Sequence, residues 1–246
     1  MTEETQVLSR VMVIAAHPDD MEFGCGGTIA KMAEQGKEIT LLLLTSGDKG
    51  SHDHTLRPDK LADRREHEQR AANQALGVAH VIFLRHPDGL LENSMFLRRQ
   101  LAEIIRRHKP HIVFAIDPWR LYQLAPDHRA AGQAALDALW AAREWNIFPE
   151  QLTNGEEPWR VKEAYLFWTD HVDHYEDITS TIGKRIDALA CHVSQVGEDR
   201  AVNRRAPART HTQSRRRRRG SDGRVHLRGR VQETDVLGGG LASRDW

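Results

Sequence analysis

Cysteine is scarce in this sequence: Cys25 and Cys191 are the only two among 246 residues. Two thiols cannot build a disulfide framework, and a reducing cytoplasm is the expected setting. Long apolar runs are missing too. None approaches the roughly 18–20 residues that a membrane span needs, and the acidic start Met1-Thr2-Glu3-Glu4 has none of the features of a secretory signal. Apolar residues make up 39% and aromatics 6%, enough for one buried core in an α/β domain with an appendage. Lysine is absent from 200–246, where thirteen arginines stand against four acids, a net charge of +9. Residues 1–199 carry 22 basic and 31 acidic side chains, a net charge of −9. The overall charge of zero is thus the average of an ordinary acidic body and an arginine-rich tail.

What is present is a regular alternation. Residues 11–16 are a continuous apolar run, as in a strand buried on both faces. Further strands are predicted at 39–44, 80–84, 112–116 and 164–168. Helices are predicted at 24–36, ended by Gly36; at 59–76, closed by Gly77; at 93–108, stopping before Pro110; at 127–143; and at 178–193. Strand–helix alternation predicts a mostly parallel sheet with helices on both faces, a Rossmann-like three-layer α/β sandwich over 1–199. Right-handed crossovers put every strand's C-terminal end on one edge, where ligands bind.

The segments following the strands are rich in ligand-type side chains: His17-Pro-Asp-Asp20, Thr45-Ser-Gly-Asp48, Arg85-His-Pro-Asp88, Asp117-Pro-Trp-Arg120 and Asp170-His171. The first is the strongest signal. His17 and Asp20 lie three apart across a turn and can converge on one zinc or similar divalent ion, leaving Asp19 free to act as a base. His128, just before a helix, is a candidate third ligand, and three protein ligands with one open position characterise a catalytic site. Plainer readings stand beside these. Asp19 or Asp20 serves equally as a helix cap, and His128 as a surface histidine. Gly24-Cys25-Gly26-Gly27-Thr28 could cradle a phosphate, but it lacks the dinucleotide fingerprint and the lysine of a P-loop.

The run Ala16-His-Pro-Asp-Asp20-Met-Glu22-Phe-Gly24, followed by Gly26-Gly27-Thr28, resembles the signature of the LmbE-like/PIG-L family of metal-dependent N-deacetylases. The likeness continues through Thr45-Ser-Gly-Asp-Lys-Gly50, Arg65-Glu66-His-Glu68, Pro87-Asp88-Gly89 and Pro126-Asp-His128-Arg-Ala-Ala-Gly132, and ends near Ser194-Gln195, about four-fifths of the chain. The resemblance implies a hydrolase that removes an acetyl or other acyl group from the amine of an N-acetylglucosamine-type glycoconjugate. It implies one zinc per chain, or another divalent metal such as Fe2+, held by His17, Asp20 and His128. It makes Asp19 the general base on metal-bound water, and turns Arg65 and Asp88 toward the sugar. As plainer alternatives, Arg65 is a solvated helix charge and Asp88 a turn residue.

Two departures stand out. The family motif usually reads His-Pro-Asp-His, and here its first position is Ala125. Loss of an oxyanion or leaving-group donor costs about 10²–10³ in turnover, so either the protein is slow or Arg120, His171 or His174 substitutes. A catalytically impaired zinc- and sugar-binding homologue is the alternative function. Asp170-His-Val-Asp-His174 reads as an exposed loop or as a second metal cluster. The second departure is the tail over 200–246, with Arg215 to Arg219 and almost no periodic apolar pattern. It is expected to be disordered: out-of-frame translation of a GC-rich gene, a neutral tail, or a basic arm for nucleic acid. The expected partner is a small glycoconjugate; nucleic acid rests on the tail alone, and a homo-oligomer is left open.

Overall fold

A computed structural model of the chain describes residues 8–197 and the strand at 226–233. In chain order the elements are β1 (Arg10–Ala15), α1 (Asp20–Gly24), α2 (Gly26–Glu34), β2 (Glu38–Thr45), α3 (Pro58–Leu76), β3 (His80–His86), α4 (Met95–His108) and β4 (Ile112–Ile116). They continue with α5 (Pro126–Arg143), a 3-10 helix (Pro149–Asn154), β5 (Glu163–Phe167), β6 (His174–Glu176), α6 (Ile182–Cys191), α7 (Val193–Val196) and β7 (His226–Glu233).

The apolar runs become the middle of the sheet. Val11 to Ala15, Ile39 and Leu41 to Leu44, and Ile112 to Ile116 are all buried, because helices cover both faces of these strands. The strand order is β3-β2-β1-β4-β5-β7-β6, and every neighbouring pair is parallel. The chain moves outward from β1 through β2 to β3, then returns to β4 on the other side of β1. Right-handed crossovers therefore send α1, α2 and α3 to one face and α4 and α5 to the other. α6 packs against α2 and α3. The reversal opens a crevice between the C-terminal ends of β1 and β4.

α5 closes on that crevice. Ala131, Ala134, Ala135, Ala138, Ala141 and Ala142 form its buried face, and a Cβ at Gly132 would collide with the Ile116 carbonyl. Small residues thus let the first turn of α5 approach the end of β4. α4 begins with Ser94 accepting the Leu97 amide at 3.2 Å and ends on left-handed Lys109 before Pro110.

Some boundaries differ from the sequence-based expectation. The helix predicted over 24–36 is α2, Gly26–Glu34; a short α1, Asp20–Gly24, precedes it, and Cys25 between them (φ −148°, ψ 17°) is not helical. The glycines on either side mark close approaches: a Cβ at Gly24 would meet Phe167, and one at Gly27 would meet Ile178. The helix predicted over 178–193 is shorter, Ile182–Cys191, with a separate turn at Val193–Val196. The 3-10 helix and β6 have no counterpart among the predicted elements. The expectation of a tail without order falls mostly on residues outside those described; within it, His226–Glu233 is a strand pairing with β5 and β6. Among the described residues no helix is long and apolar enough to cross a membrane.

Candidate active site

The crevice collects the side chains that leave β1 and enter α5. His17 Nδ1 lies 3.2 Å from His128 Nε2. Asp20 Oδ1 lies 3.2 Å from the same His128 nitrogen, and Asp20 Oδ2 lies 3.7 Å from His17 Nδ1. Bonds of about 2.0–2.1 Å to a tetrahedral ion place donor atoms about 3.3 Å apart, so the spacing fits one small divalent ion. Two imidazole nitrogens and a carboxylate oxygen are the donor chemistry for zinc and similar metals. Asp20 is held independently: its Oδ2 accepts the Ala16 and His17 amides at 3.0 and 2.8 Å. The neighbouring imidazoles hold its carboxyl below the usual range despite burial.

The far side of His17 faces two more carboxylates. Its Nε2 lies 3.0 Å from Asp88 Oδ1 and 3.2 Å from Asp127 Oδ2. Two acceptors at one nitrogen call for a proton there, and Nδ1 is the nitrogen that faces Asp20 and His128 and would give up its own proton to bind an ion. Burial pulls the His17 pKa down, but hydrogen bonds to Asp127 and Asp88 and the charge of Asp20 outweigh it and raise it to about 10. Burial pushes the Asp88 carboxyl up, but the His17 contact brings it down to about 2. Three carboxylates around one imidazole form a cation-seeking site. The groups of His, Cys, Asp and Glu able to hold a metal among the described residues are two, His17–Asp20–His128 and His17–Asp88–Asp127, and both share His17.

Asp19 sits beside this cluster in a left-handed conformation, φ 91°, uncommon for a residue with a Cβ. Its side chain is 14% exposed. Burial pushes its carboxyl up to about 6, partly countered by Arg65. A carboxylate poised this close to neutrality suits a proton acceptor.

Arg65 is buried within α3 and turned toward the protein: Nη1 donates to the Gly47 carbonyl at 3.0 Å, Nη2 donates to the Pro18 carbonyl at 2.6 Å, and Nη2 lies 3.4 Å from Asp19 Oδ2. Its fit explains the glycines of Thr45-Ser-Gly-Asp-Lys-Gly50. A Cβ at Gly47 or Gly50 would strike the guanidinium, and Gly47 is also at φ +66°. Asp88 is buried and accepts the Lys49 amide at 2.8 Å.

His17, Asp19, Asp20, Arg65, Asp88 and His128 are therefore brought together. Asp127 is part of the cluster, though the sequence does not single it out: within the Pro126-Asp-His128 run it reads as an acidic residue in the first turn of a helix. The groups considered as substitutes at Ala125 are engaged elsewhere: Arg120 Nε is 3.8 Å from Asp170, and His174 Nε2 is 3.3 Å from Glu176. His171 is exposed. Trp168, after β5, sets its ring 5.1 Å from that of His128.

The sequence matches the family model "PIG-L: GlcNAc-PI de-N-acetylase" over residues 12–139. It is 32% identical to a diacetylchitobiose deacetylase of Thermococcus kodakarensis across 78% of this chain and 72% of that protein. It spans 51% to 76% of other curated relatives, also deacetylases. The crystal structure of N,N'-diacetylchitobiose deacetylase from Pyrococcus horikoshii superposes with a TM-score of 0.76 at 32% identity, covering 79% of this chain and 73% of that one. A 4-carboxy-2-hydroxymuconate hydratase from Pseudomonas putida also superposes, with a TM-score of 0.68 at 26% identity over 78% and 80% of the two chains. The family model matches more than half of the chain, with the first-strand motif and His128 both inside the match; the chain belongs to the PIG-L family of N-deacetylases, hydrolases of N-acetyl amides.

Proposed function

We propose that this protein is a zinc-dependent hydrolase that removes the acetyl group from the amine of an N-acetylglucosamine-type glycoconjugate. The observation that carries the reading is the convergence of His17, Asp20 and His128 at the switch point, with Asp19 beside them in a raised-pKa setting. His17 through Nδ1, His128 through Nε2 and Asp20 through its carboxylate would hold the ion. A divalent ion held there supplies Lewis acidity that activates water and polarises an amide carbonyl.

The chain's own residues supply the rest. Asp19 accepts the proton of the attacking water and returns it to the leaving nitrogen, so the products are acetate and a free amine. Arg65, through its grip on Pro18 and its charge beside Asp19, keeps that carboxylate near the crevice. Asp88 orients His17 and, at the mouth of the β3–α4 turn, is the residue we assign to the sugar. The name of the Thermococcus relative, a diacetylchitobiose deacetylase, supports a small N-acetylated sugar as substrate. The hydratase relative makes the reaction, rather than the fold, the point to test.

A second reading, a zinc- and sugar-binding homologue with impaired turnover, is favoured by Ala125. Release of acetate from a panel of N-acetylglucosamine conjugates separates the two, with the Asp19→Ala protein as background. Acetate release above that background supports the hydrolase. Binding of the conjugates without acetate release supports the impaired homologue.

A further inference from the structure

Asp19 is held by α3 at both ends of a single peptide unit. The Pro18 carbonyl oxygen accepts from Arg65 Nη2 at 2.6 Å. The Asp19 amide on the other side of that peptide bond donates to Gln69 Oε1 at 3.0 Å. Arg65 and Gln69 are four apart, on one face of the helix. A planar peptide gripped at its oxygen and its N–H is held in one orientation, directly before the Cα at which Asp19 adopts its φ of 91°.

The grip has a built support. Gln69 is fully buried. Its amide nitrogen donates to Glu22 Oε1 at 2.6 Å and to Asn73 Oδ1 at 3.0 Å. Two acceptors on that nitrogen forbid the flipped amide, so Oε1 must point at Asp19. Glu22 is itself fully buried, and its second oxygen lies 3.6 Å from Nε2 of the equally buried His192. The chain runs from there through Gln69 to the Asp19 amide, beside the crevice.

We propose that Gln69 is a positioning residue for Asp19: with Arg65 it clamps the Pro18–Asp19 peptide, and so aims the Asp19 carboxylate. The proposal rests on the reading of Asp19 as the proton acceptor. It makes α3 part of the chemistry through the backbone of β1's exit turn, and Gln69 touches neither substrate nor ion.

The test uses the metal-loaded full chain for turnover and the metal-free chain for a second readout. Gln69→Met removes the acceptor at nearly constant volume. It should lower kcat about ten- to a hundredfold while KM stays within about threefold and metal content is unchanged. In an Asp19→Asn background the same change should cost less than about twofold, because a residue that acts through Asp19 has nothing left to position. In the metal-free protein, hydrogen exchange of the Asp19 amide, followed by NMR, should speed up at least about tenfold. Gln69→Asn, one methylene shorter, keeps the site polar and withdraws the acceptor; it covers the case in which methionine prevents folding, with the same result expected. Equal losses in both backgrounds, or wild-type kcat with a freely exchanging Asp19 amide, would overturn the clamp. Wild-type turnover in Asp19→Asn alone would overturn the role of Asp19 itself, and the exchange measurement reports on the clamp separately.

Discussion

Asp127 accepts from Nε2 of His17 at 3.2 Å across 110 positions of sequence, and its two oxygens also accept the Gly89 and Leu91 amides at 2.7 and 3.1 Å. One buried carboxylate thereby ties the exits of β1 and β3 to the first turn of α5. Asp127→Asn keeps the shape but weakens the hold on the His17 proton. Metal affinity should fall about 10–100-fold, as for other outer partners of ligating histidines. Competition with a chromogenic chelator reads this directly, and unchanged affinity would remove Asp127 from the support of the site.

The ligands and the base should separate in a pair of measurements. His17→Ala, Asp20→Ala and His128→Ala are each expected to lose most of the roughly one bound ion per chain. Asp19→Asn should keep the ion and lose most turnover. Full metal occupancy in His128→Ala would break the ligand set, and loss of metal in Asp19→Asn would make Asp19 a ligand.

Ala125 offers a gain of function. It is the N-cap of α5, has extended backbone (φ −64°, ψ 112°), and makes no side-chain cap hydrogen bond. Ala125→His should raise turnover by up to about two orders of magnitude. The gain belongs in kcat rather than KM, since a donor there acts on charge that develops during the reaction. An unchanged rate with metal and fold intact would mean that another group already serves.

A pH effect on stability is expected far from the crevice. His111 Nδ1 accepts the Ser9 and Arg10 amides at 3.2 and 3.3 Å, at the start of β1. Burial, with the charge of Arg10, lowers its pKa. The unfolded chain therefore takes up this proton first, and the contribution is fully present above about pH 6.5, the ordinary histidine value, and lost as pH falls through the lower folded value. The thermal midpoint should drop between pH 7.5 and 5.5 by more in wild type than in His111→Gln. An equal drop in both would clear His111.

How far the sequence could be read follows from where the information lies. β1, β2 and β4 are buried on both faces, so their apolar runs are legible without any partner. His17, Asp19 and Asp20 sit within one turn, and a turn is local. The role of Asp127 is not local, because its partners come from β1 and from the β3–α4 turn. Arg65 reads as one charge among many on a highly charged helix; only the glycines at 47 and 50 betray that a guanidinium fills the space beside them. The glycines at 24 and 27 answer to Phe167 and Ile178, which arrive from β5 and the approach to α6. Sequence periodicity carries no trace of either neighbour.

The positions of Asp20, His17 and Asp127 are set by backbone amides and by one another. This has a consequence for how the protein matures. On the proposed reading, a ligand set held by the fold in this way would be ready before the ion arrives, in contrast to small domains that are unfolded until loaded. The ion bound there would then depend on which divalent cation the surroundings supply when the finished chain meets them.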